Sequence, residues 1–112
     1  VDRTRIEQFL AIRATRQPTI REILARVAKH CGVPQKQIRS SSRKQAVVFA
    51  RGLVSFLART TARASYEQIG QALGDRNHTT IMHGYQKMQI AYQSDPHIRE
   101  MIDELRHELV SR

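Results

Sequence analysis

Helix start signals occur twice in this chain, and they constrain its fold more than any other feature. Residues 19–22 (TIRE) and 65–68 (SYEQ) each place a hydroxyl side chain three residues before a Glu or Gln. This spacing is the capping box, in which the two side chains satisfy free N–H groups at the start of a helix. Residues that end or restart helices are Pro18, Gly32, Gly74 and Pro96. The chain is therefore expected to be all-α, with short connections between its helices.

Apolar residues recur at spacings of three and four between these signals, which indicates helices with one buried face. The expected helices cover residues 2–15, 19–31, 43–61, 65–73, 77–93 and 96–109. The helix over 43–61 is expected to be the longest and the most buried. Its expected core residues are Val47, Val48, Phe49, Leu53, Val54, Phe56 and Leu57. Gly52 within it costs about 1 kcal/mol relative to Ala, which a close helix crossing would compensate.

Length and composition fit one small domain in a reducing compartment. The chain has 112 residues, of which 40% are hydrophobic, with 5 Gly and no Trp to support strands or hairpins. No apolar run approaches the roughly 20 residues of a membrane span. The N-terminal stretch VDRTRIEQF is charged and unlike a signal peptide, and the single Cys31 can form no internal disulfide. These features predict a cytoplasmic protein.

Charge is distributed unevenly along the chain, whose formal net charge is +9. Residues 23–66 contain nine Lys or Arg and no acid, whereas residues 95–112 contain five acids and three Arg. A region of one sign creates a directed field that attracts polyanions, and nucleic acid is the commonest of them. A solvated basic face without a partner is the alternative that charge alone leaves open.

Residues 65–93 have the layout of a helix-turn-helix, with a short capped helix, a glycine turn and a longer helix. Asn77, His78, Thr79 and Thr80 fall in the first turn of the second helix, directly after Arg76. Unpaired N–H groups and the positive end of the helix dipole favour phosphate there. The short polar side chains can reach base edges in the major groove. The alternative is that Asn77 or Thr79 only caps the helix.

The stretch over residues 69–83, IGQALGDRNHTTIMH, resembles the signature of the C-terminal domain of the bacterial chromosomal replication initiator family, DnaA. The resemblance implies a helical bundle with a helix-turn-helix, of the Trp-repressor-like type. It also divides the chain into a linker helix over residues 1–17 and a DNA-binding domain over residues 18–112. The implied function is sequence-specific binding of double-stranded DNA at DnaA boxes of the replication origin, for initiation of chromosome replication.

The resemblance also implies roles for individual residues. Asn77, His78 and Thr79 would meet bases, and Thr80 would meet a base or the backbone. Asn77 replaces an Asp that is usual in the family, and Asn can donate a hydrogen bond as well as accept one. Arg43 would enter the minor groove from a basic loop, where the absence of a usual proline would start the next helix earlier. The remaining implied DNA-binding residues are Lys44, Arg51 as a phosphate contact, Arg59, Tyr66, Arg76, His83 and Lys87.

Catalysis and metal binding find no support in the sequence. His78 and His83 are five residues apart, which does not match the helical spacing of metal ligands, and no Cys or carboxylate completes a set. The chain has no GxxxxGK[ST] motif, so ATP is expected only in a part of the initiator that this chain lacks. Further DnaA molecules are expected as partners only through such absent parts. A stand-alone transcription regulator and a protein-interaction module that docks through the acidic C-terminal helix remain as alternatives.

Overall fold

A computed structural model describes residues 17–111, and these residues form six α-helices. The helices are α1 (Ile20–Cys31), α2 (Gln35–Ile38), α3 (Gln45–Thr60), α4 (Tyr66–Ala72), α5 (His78–Ser94) and α6 (Pro96–Val110). The all-α prediction is confirmed for this part of the chain. The helix expected over residues 2–15, and with it the linker helix of residues 1–17, lies outside the described residues except for Gln17. No helix among residues 17–111 combines the length and apolar character that a bilayer span requires.

Both predicted capping boxes are formed. The Thr19 hydroxyl accepts a hydrogen bond from the backbone N–H of Glu22 at 3.1 Å, and the Glu22 carboxylate accepts one from the N–H of Thr19 at 3.0 Å. Ser65 and Gln68 repeat this arrangement at the start of α4, at 3.1 and 2.8 Å. Gly32 ends α1 with a φ of 66°, in the left-handed region that favours glycine. The sequence predicts these helix boundaries because each signal acts within four residues of the helix end that it defines.

The core is centred on α3, which packs against α5 on one side and α1 on the other. Leu53, Val54 and Leu57 of α3 are fully buried, and apolar side chains from every other helix meet them. Buried side chains of the other helices include Ile23, Val27, Ile38, Ile69, Ile81, Met88, Ile102 and Leu105. Gly52 of α3 faces Gly84 of α5, so the close crossing that would compensate the cost of Gly52 is present.

Three expectations about α3 are wrong. The helix begins at Gln45 and not at Arg43, because the backbone of Lys44 is extended. Arg43 and Lys44 therefore lie in the preceding loop. Val48 is 45% exposed and does not belong to the core, whereas Phe49 is partly buried and packs against it. Ala50 and Ala58, which were not expected in the core, are fully buried. With 16 residues α3 is also one residue shorter than α5, although it is the most buried helix among residues 17–111.

Candidate nucleic-acid interface

The turn between α4 and α5 is folded so tightly that glycine is required at two positions. A Cβ atom on Gly70 would lie 2.3 Å from the carbonyl oxygen of Arg76, and Gly74 has a φ of 87°. The N–H of Arg76 donates to the carbonyl of Gly70 at 2.9 Å and closes the turn. This geometry brings the start of α5 against α4, as expected for a helix-turn-helix.

The entrance of α5 is polar and open to solvent. Asn77 is the N-cap, and its side-chain Oδ1 accepts a hydrogen bond from the N–H of Thr79 at 2.7 Å. Asn77 therefore caps the helix, and this cap uses only the oxygen of its amide. Its side chain is exposed, as are His78, Thr79 and Thr80. The amide nitrogen of Asn77 and three polar side chains in the first turn are accordingly available to a ligand.

The two sides of α5 have different characters. Ile81 and Met88 are buried in the core, and Tyr85 packs on Phe56 with ring centroids 5.6 Å apart. The opposite side carries Thr79, Thr80, His83 and Lys87, all exposed, and we call these four residues the outer face of α5. Their spacing of three to four residues places them along one side of the helix. Thr79, Thr80 and His83 can donate hydrogen bonds to bases or accept them from bases, and Lys87 adds a positive charge.

The loop before α3, residues 39–44, presents exposed cations next to α5; we call it the basic loop. Arg43 and Lys87 line the same surface groove, above an apolar floor that includes Ala46, Phe49 and Met88. The structure therefore brings Arg43 to the side of the domain that carries the outer face of α5. Lys44 is exposed at the N-cap of α3 and makes no side-chain capping bond.

Arg59 and Tyr66 form a separate pair near the start of α4. The guanidinium carbon of Arg59 lies 4.4 Å from the ring centroid of Tyr66, and its Nη1 donates to the carbonyl of Ala64 at 3.1 Å. Tyr66 in turn meets the Tyr85 ring edge-on at 6.0 Å between centroids. The cation is thereby held in place while its residue stays exposed.

Arg51 and Arg76 differ from the other expected DNA-binding residues, because their guanidinium groups donate to backbone carbonyls of residues 37–42. Arg51 donates four hydrogen bonds to backbone carbonyls, those of Ile38 at 2.8 Å, Ser42 at 2.7 Å, Gln37 at 3.4 Å and Ser40. Only one of its five N–H groups is left for another acceptor. Arg51 therefore cannot form, in this arrangement, the two parallel hydrogen bonds by which an arginine usually binds a phosphate.

Arg76 donates through one terminal nitrogen to the same Ser40 carbonyl, and its buried Nε has no hydrogen-bond partner among the described residues. Burial, and to a smaller extent the nearby charge of Arg76, lower the pKa of Arg51 below its ordinary value. An arginine remains charged at physiological pH after such a shift. Sequence reasoning missed Ser40, since a residue that acts through its backbone carbonyl leaves no signal in the sequence.

Cys31 lies at the end of α1, partly buried against the core. Burial raises the pKa of its thiol above the ordinary value, so the thiol stays protonated at neutral pH. This environment suits Cys31 to a packing role.

The comparison with known proteins agrees with the geometry of α4 and α5. A family model described as bacterial dnaA protein helix-turn-helix matches residues 20–88. The chain is 41% identical over 91 residues to the chromosomal replication initiator protein DnaA of Herpetosiphon aurantiacus, covering 81% of this chain and 19% of that protein. It is 36% identical over 91 residues to the protein of that name in Levilactobacillus brevis, covering 81% of the chain and 20% of the relative. It is 39% identical over 85 residues to the protein of that name in Thermus thermophilus, covering 76% of this chain and 20% of the relative. The chain thus spans about a fifth of the length of these curated relatives, between 19% and 20%.

Proposed function

We propose, from the premise that the chain belongs to the bacterial DnaA helix-turn-helix family, that it binds DNA in the initiation of replication. The finer proposal is that it recognises short asymmetric elements of duplex DNA at the origin, the DnaA boxes. One observation carries this proposal: the first turn of α5 is exposed and polar, whereas the other side of the helix is anchored in the core. A helix held in this way can enter the major groove with its N-terminal side chains on base edges.

Base reading is assigned to the entrance of α5 and to its outer face. Thr79 and Thr80 offer hydroxyls to bases or phosphates and methyl groups to thymine, and His83 lies one turn further along the same side. The cap directs the oxygen of Asn77 towards the N–H of Thr79, and we assign its contact with the DNA to the two N–H bonds of the amide. It is therefore suited to bases that present acceptors in the major groove, such as guanine N7 and O6 or thymine O4.

Contacts with the sugar–phosphate backbone are assigned to the cations around α5. Lys87 borders the groove that it shares with Arg43, and Arg59 is held on the ring of Tyr66. Arg43 projects from the basic loop and is assigned to an adjacent minor groove, where narrow A·T-rich DNA has an enhanced negative potential. These contacts supply affinity for any sequence, and the bases supply the preference among sequences.

The test is a binding titration of Thr79→Ala and Lys87→Ala on two duplexes, one enriched from a random library by the wild-type chain and one of scrambled sequence. Thr79→Ala is expected to lose about 1–3 kcal/mol on the enriched duplex and little on the scrambled one. Lys87→Ala is expected to weaken both duplexes equally and to reduce the slope of log K against log salt by about 0.9. Equal losses on both duplexes for Thr79→Ala would contradict base reading.

A footprint on origin DNA at physiological salt then separates DnaA-box recognition from the alternatives. Protection of short repeated elements within the origin supports the proposal. Protection at promoters alone supports a stand-alone regulator, and binding that does not change as salt rises argues against phosphate contacts altogether. Within this proposal, nucleotide binding and contacts with further initiator molecules are assigned to parts of DnaA proteins that this chain does not include.

A further inference from the structure

The backbone at Ser40 is held from two directions by arginines that are distant in sequence. Arg51 reaches it from the second turn of α3, and Arg76 reaches it from the turn of the helix-turn-helix. Both guanidinium groups donate to the one carbonyl oxygen of Ser40. Two like charges converging on one acceptor repel each other, so the arrangement persists only because carbonyl dipoles and additional hydrogen bonds surround it.

Contacts between the backbones reinforce this link between the basic loop and the turn. A Cβ atom on Gly74 would lie 2.3 Å from the carbonyl oxygen of Arg39, so the turn packs directly on the residue before Ser40. On the other side of the loop, Arg51 also bonds to the carbonyls of Ile38 and Ser42. The turn that leads into α5 and the loop that carries Arg43 are therefore joined as one unit.

Serine hydroxyls extend the order to Arg43. The hydroxyl of Ser40 donates to the carbonyl of Gln37 at 2.6 Å and accepts from the N–H of Ser42 at 3.2 Å. The hydroxyl of Ser42 accepts from the N–H of Lys44 at 3.3 Å, which bridges the position of Arg43. These hydrogen bonds order the backbone on either side of Arg43. The side chain of Arg43 is exposed and therefore remains free for a ligand.

We propose that Arg51 and Arg76 are positioning residues for DNA recognition, which hold the Ser40 backbone so that Arg43 keeps a fixed place relative to α5. The inference rests on the proposed function, in which Arg43 and α5 contact adjacent grooves of one duplex. A fixed spacing between the two elements lowers the entropy that is lost when both engage the DNA. Arg76 then contributes to affinity through Arg43 and not through a phosphate of its own.

The test is a double-mutant cycle with Arg43→Ala and Arg76→Met, measured as affinity for the enriched duplex. Arg76→Met is expected to weaken binding about tenfold in the wild-type background, within the range of coupling energies for residues of one network. It is expected to weaken binding less than about twofold when Arg43 is already Ala, because the positioned group is gone. Equal factors in the two backgrounds would overturn the proposal and indicate an independent DNA contact by Arg76.

Controls separate the coupling from a general loss of charge or of fold. Arg59→Ala removes a cation outside the network and should weaken binding by equal factors in both Arg43 backgrounds. Arg76→Lys keeps the charge but lacks the fork of donors, and it should couple to Arg43 in the same direction as Arg76→Met. It takes the place of Arg76→Met if circular dichroism shows that the latter loses helix. A wild-type chain that binds no duplex would contradict the proposed function, and with it the role in DNA recognition, whereas the hold of Arg76 on the basic loop is tested separately by a distance.

A distance measurement tests the positioning role in the absence of DNA. Spin labels at Ser41→Cys and Gln86→Cys, in a Cys31→Ser background, report the separation of the basic loop from α5, since both labelled positions are exposed. The distance distribution is expected to be narrow in the parent and broader with Arg76→Met, and to be unchanged with Arg59→Ala. A distribution that Arg76→Met leaves unchanged would contradict the inference, whatever the result with DNA.

Discussion

Gly52 of α3 and Gly84 of α5 lie against each other at the crossing of the two helices. A Cβ atom on Gly84 would lie 3.9 Å from the Cα atom of Gly52, and one on Gly52 would lie 3.7 Å from the Gly84 carbonyl oxygen and 3.3 Å from the Cε atom of Met88. The crossing holds α5 to the most buried helix of the described chain, so it supports the helix whose entrance is assigned to the DNA.

Alanine is expected to be accepted at Gly84 better than at Gly52. Gly84→Ala makes only an ordinary van der Waals contact and removes the cost of glycine in a helix, so we expect stabilisation by about 0.5–1 kcal/mol. Gly52→Ala gains the same propensity but must displace the Met88 methyl, so a smaller gain is expected. Urea unfolding of both variants measures the difference. A loss of stability in Gly84→Ala would show that the helices approach more closely than the 3.9 Å between the added Cβ atom and Gly52 Cα allows.

Gly74→Ala is expected to be severe, because two costs coincide at that position. Its φ of 87° is strained for alanine, and the added Cβ atom would lie 2.3 Å from the Arg39 carbonyl oxygen. The strain alone costs about 1–2 kcal/mol, and relief of the clash must move the turn or the basic loop. Gly32→Ala is the matched control, since its φ is 66° and nothing lies within 4 Å of the added atom. Thermal or urea unfolding should therefore show that Gly74→Ala is much less stable than Gly32→Ala. Equal losses of stability in the two variants would argue against the contact with Arg39.

The helices could be predicted from the sequence because their start and stop signals are local. The capping boxes at Thr19 and Ser65, and the glycines 32 and 74, act within a few residues of the helix ends that they define. Val48 shows where this reasoning fails. It continues the apolar run of α3, yet it is 45% exposed, since only the packing of neighbouring helices decides which side of a largely apolar helix is covered.

The site divides in the same way between local and tertiary features. The polar entrance from Asn77 to Thr80 follows from the sequence, because a helix start exposes its first turn. The hydrogen bonds of Arg51 and Arg76 do not, since they depend on carbonyl groups of residues 37–42 that only the fold brings near. A count of positive charge treats these two arginines like Arg43 and Arg59, although they meet different partners.

Tyr66 provides a test of how Arg59 is held. Tyr66→Phe keeps the ring under the guanidinium group, and we expect stability and DNA affinity to change by less than about 0.5 kcal/mol. Tyr66→Leu removes the cation–π contact and the edge contact with Tyr85, so both quantities should fall, with a stability loss of about 1 kcal/mol or more. In binding titrations, Tyr66→Leu should weaken the affinity for the enriched and the scrambled duplex by the same factor. A selective loss by Tyr66→Phe on DNA would instead assign a direct contact to the hydroxyl.

Asn77→Asp should reverse the base preference at one position while keeping the fold. One carboxylate oxygen can still accept from the N–H of Thr79, and an acid at a helix N-cap is as favourable as Asn. The second oxygen then faces the base as an acceptor where the wild type presents N–H donors. Preference is expected to move from guanine or thymine towards bases with a major-groove amino group, cytosine or adenine, by about 1–3 kcal/mol.

The measurement compares four duplexes that differ only at the base pair where Asn77→Ala abolishes discrimination. A new negative charge near phosphates lowers the affinity for all four duplexes equally. This uniform loss cancels when the four duplexes are compared within each variant. Asn77→Ala also removes the cap, so its stability should fall by about 1 kcal/mol while Asn77→Asp retains it. If Asn77→Asp keeps the wild-type order of the four duplexes, Asn77 does not read a base, and its part in the interface is reduced to holding the first turn of α5 in place.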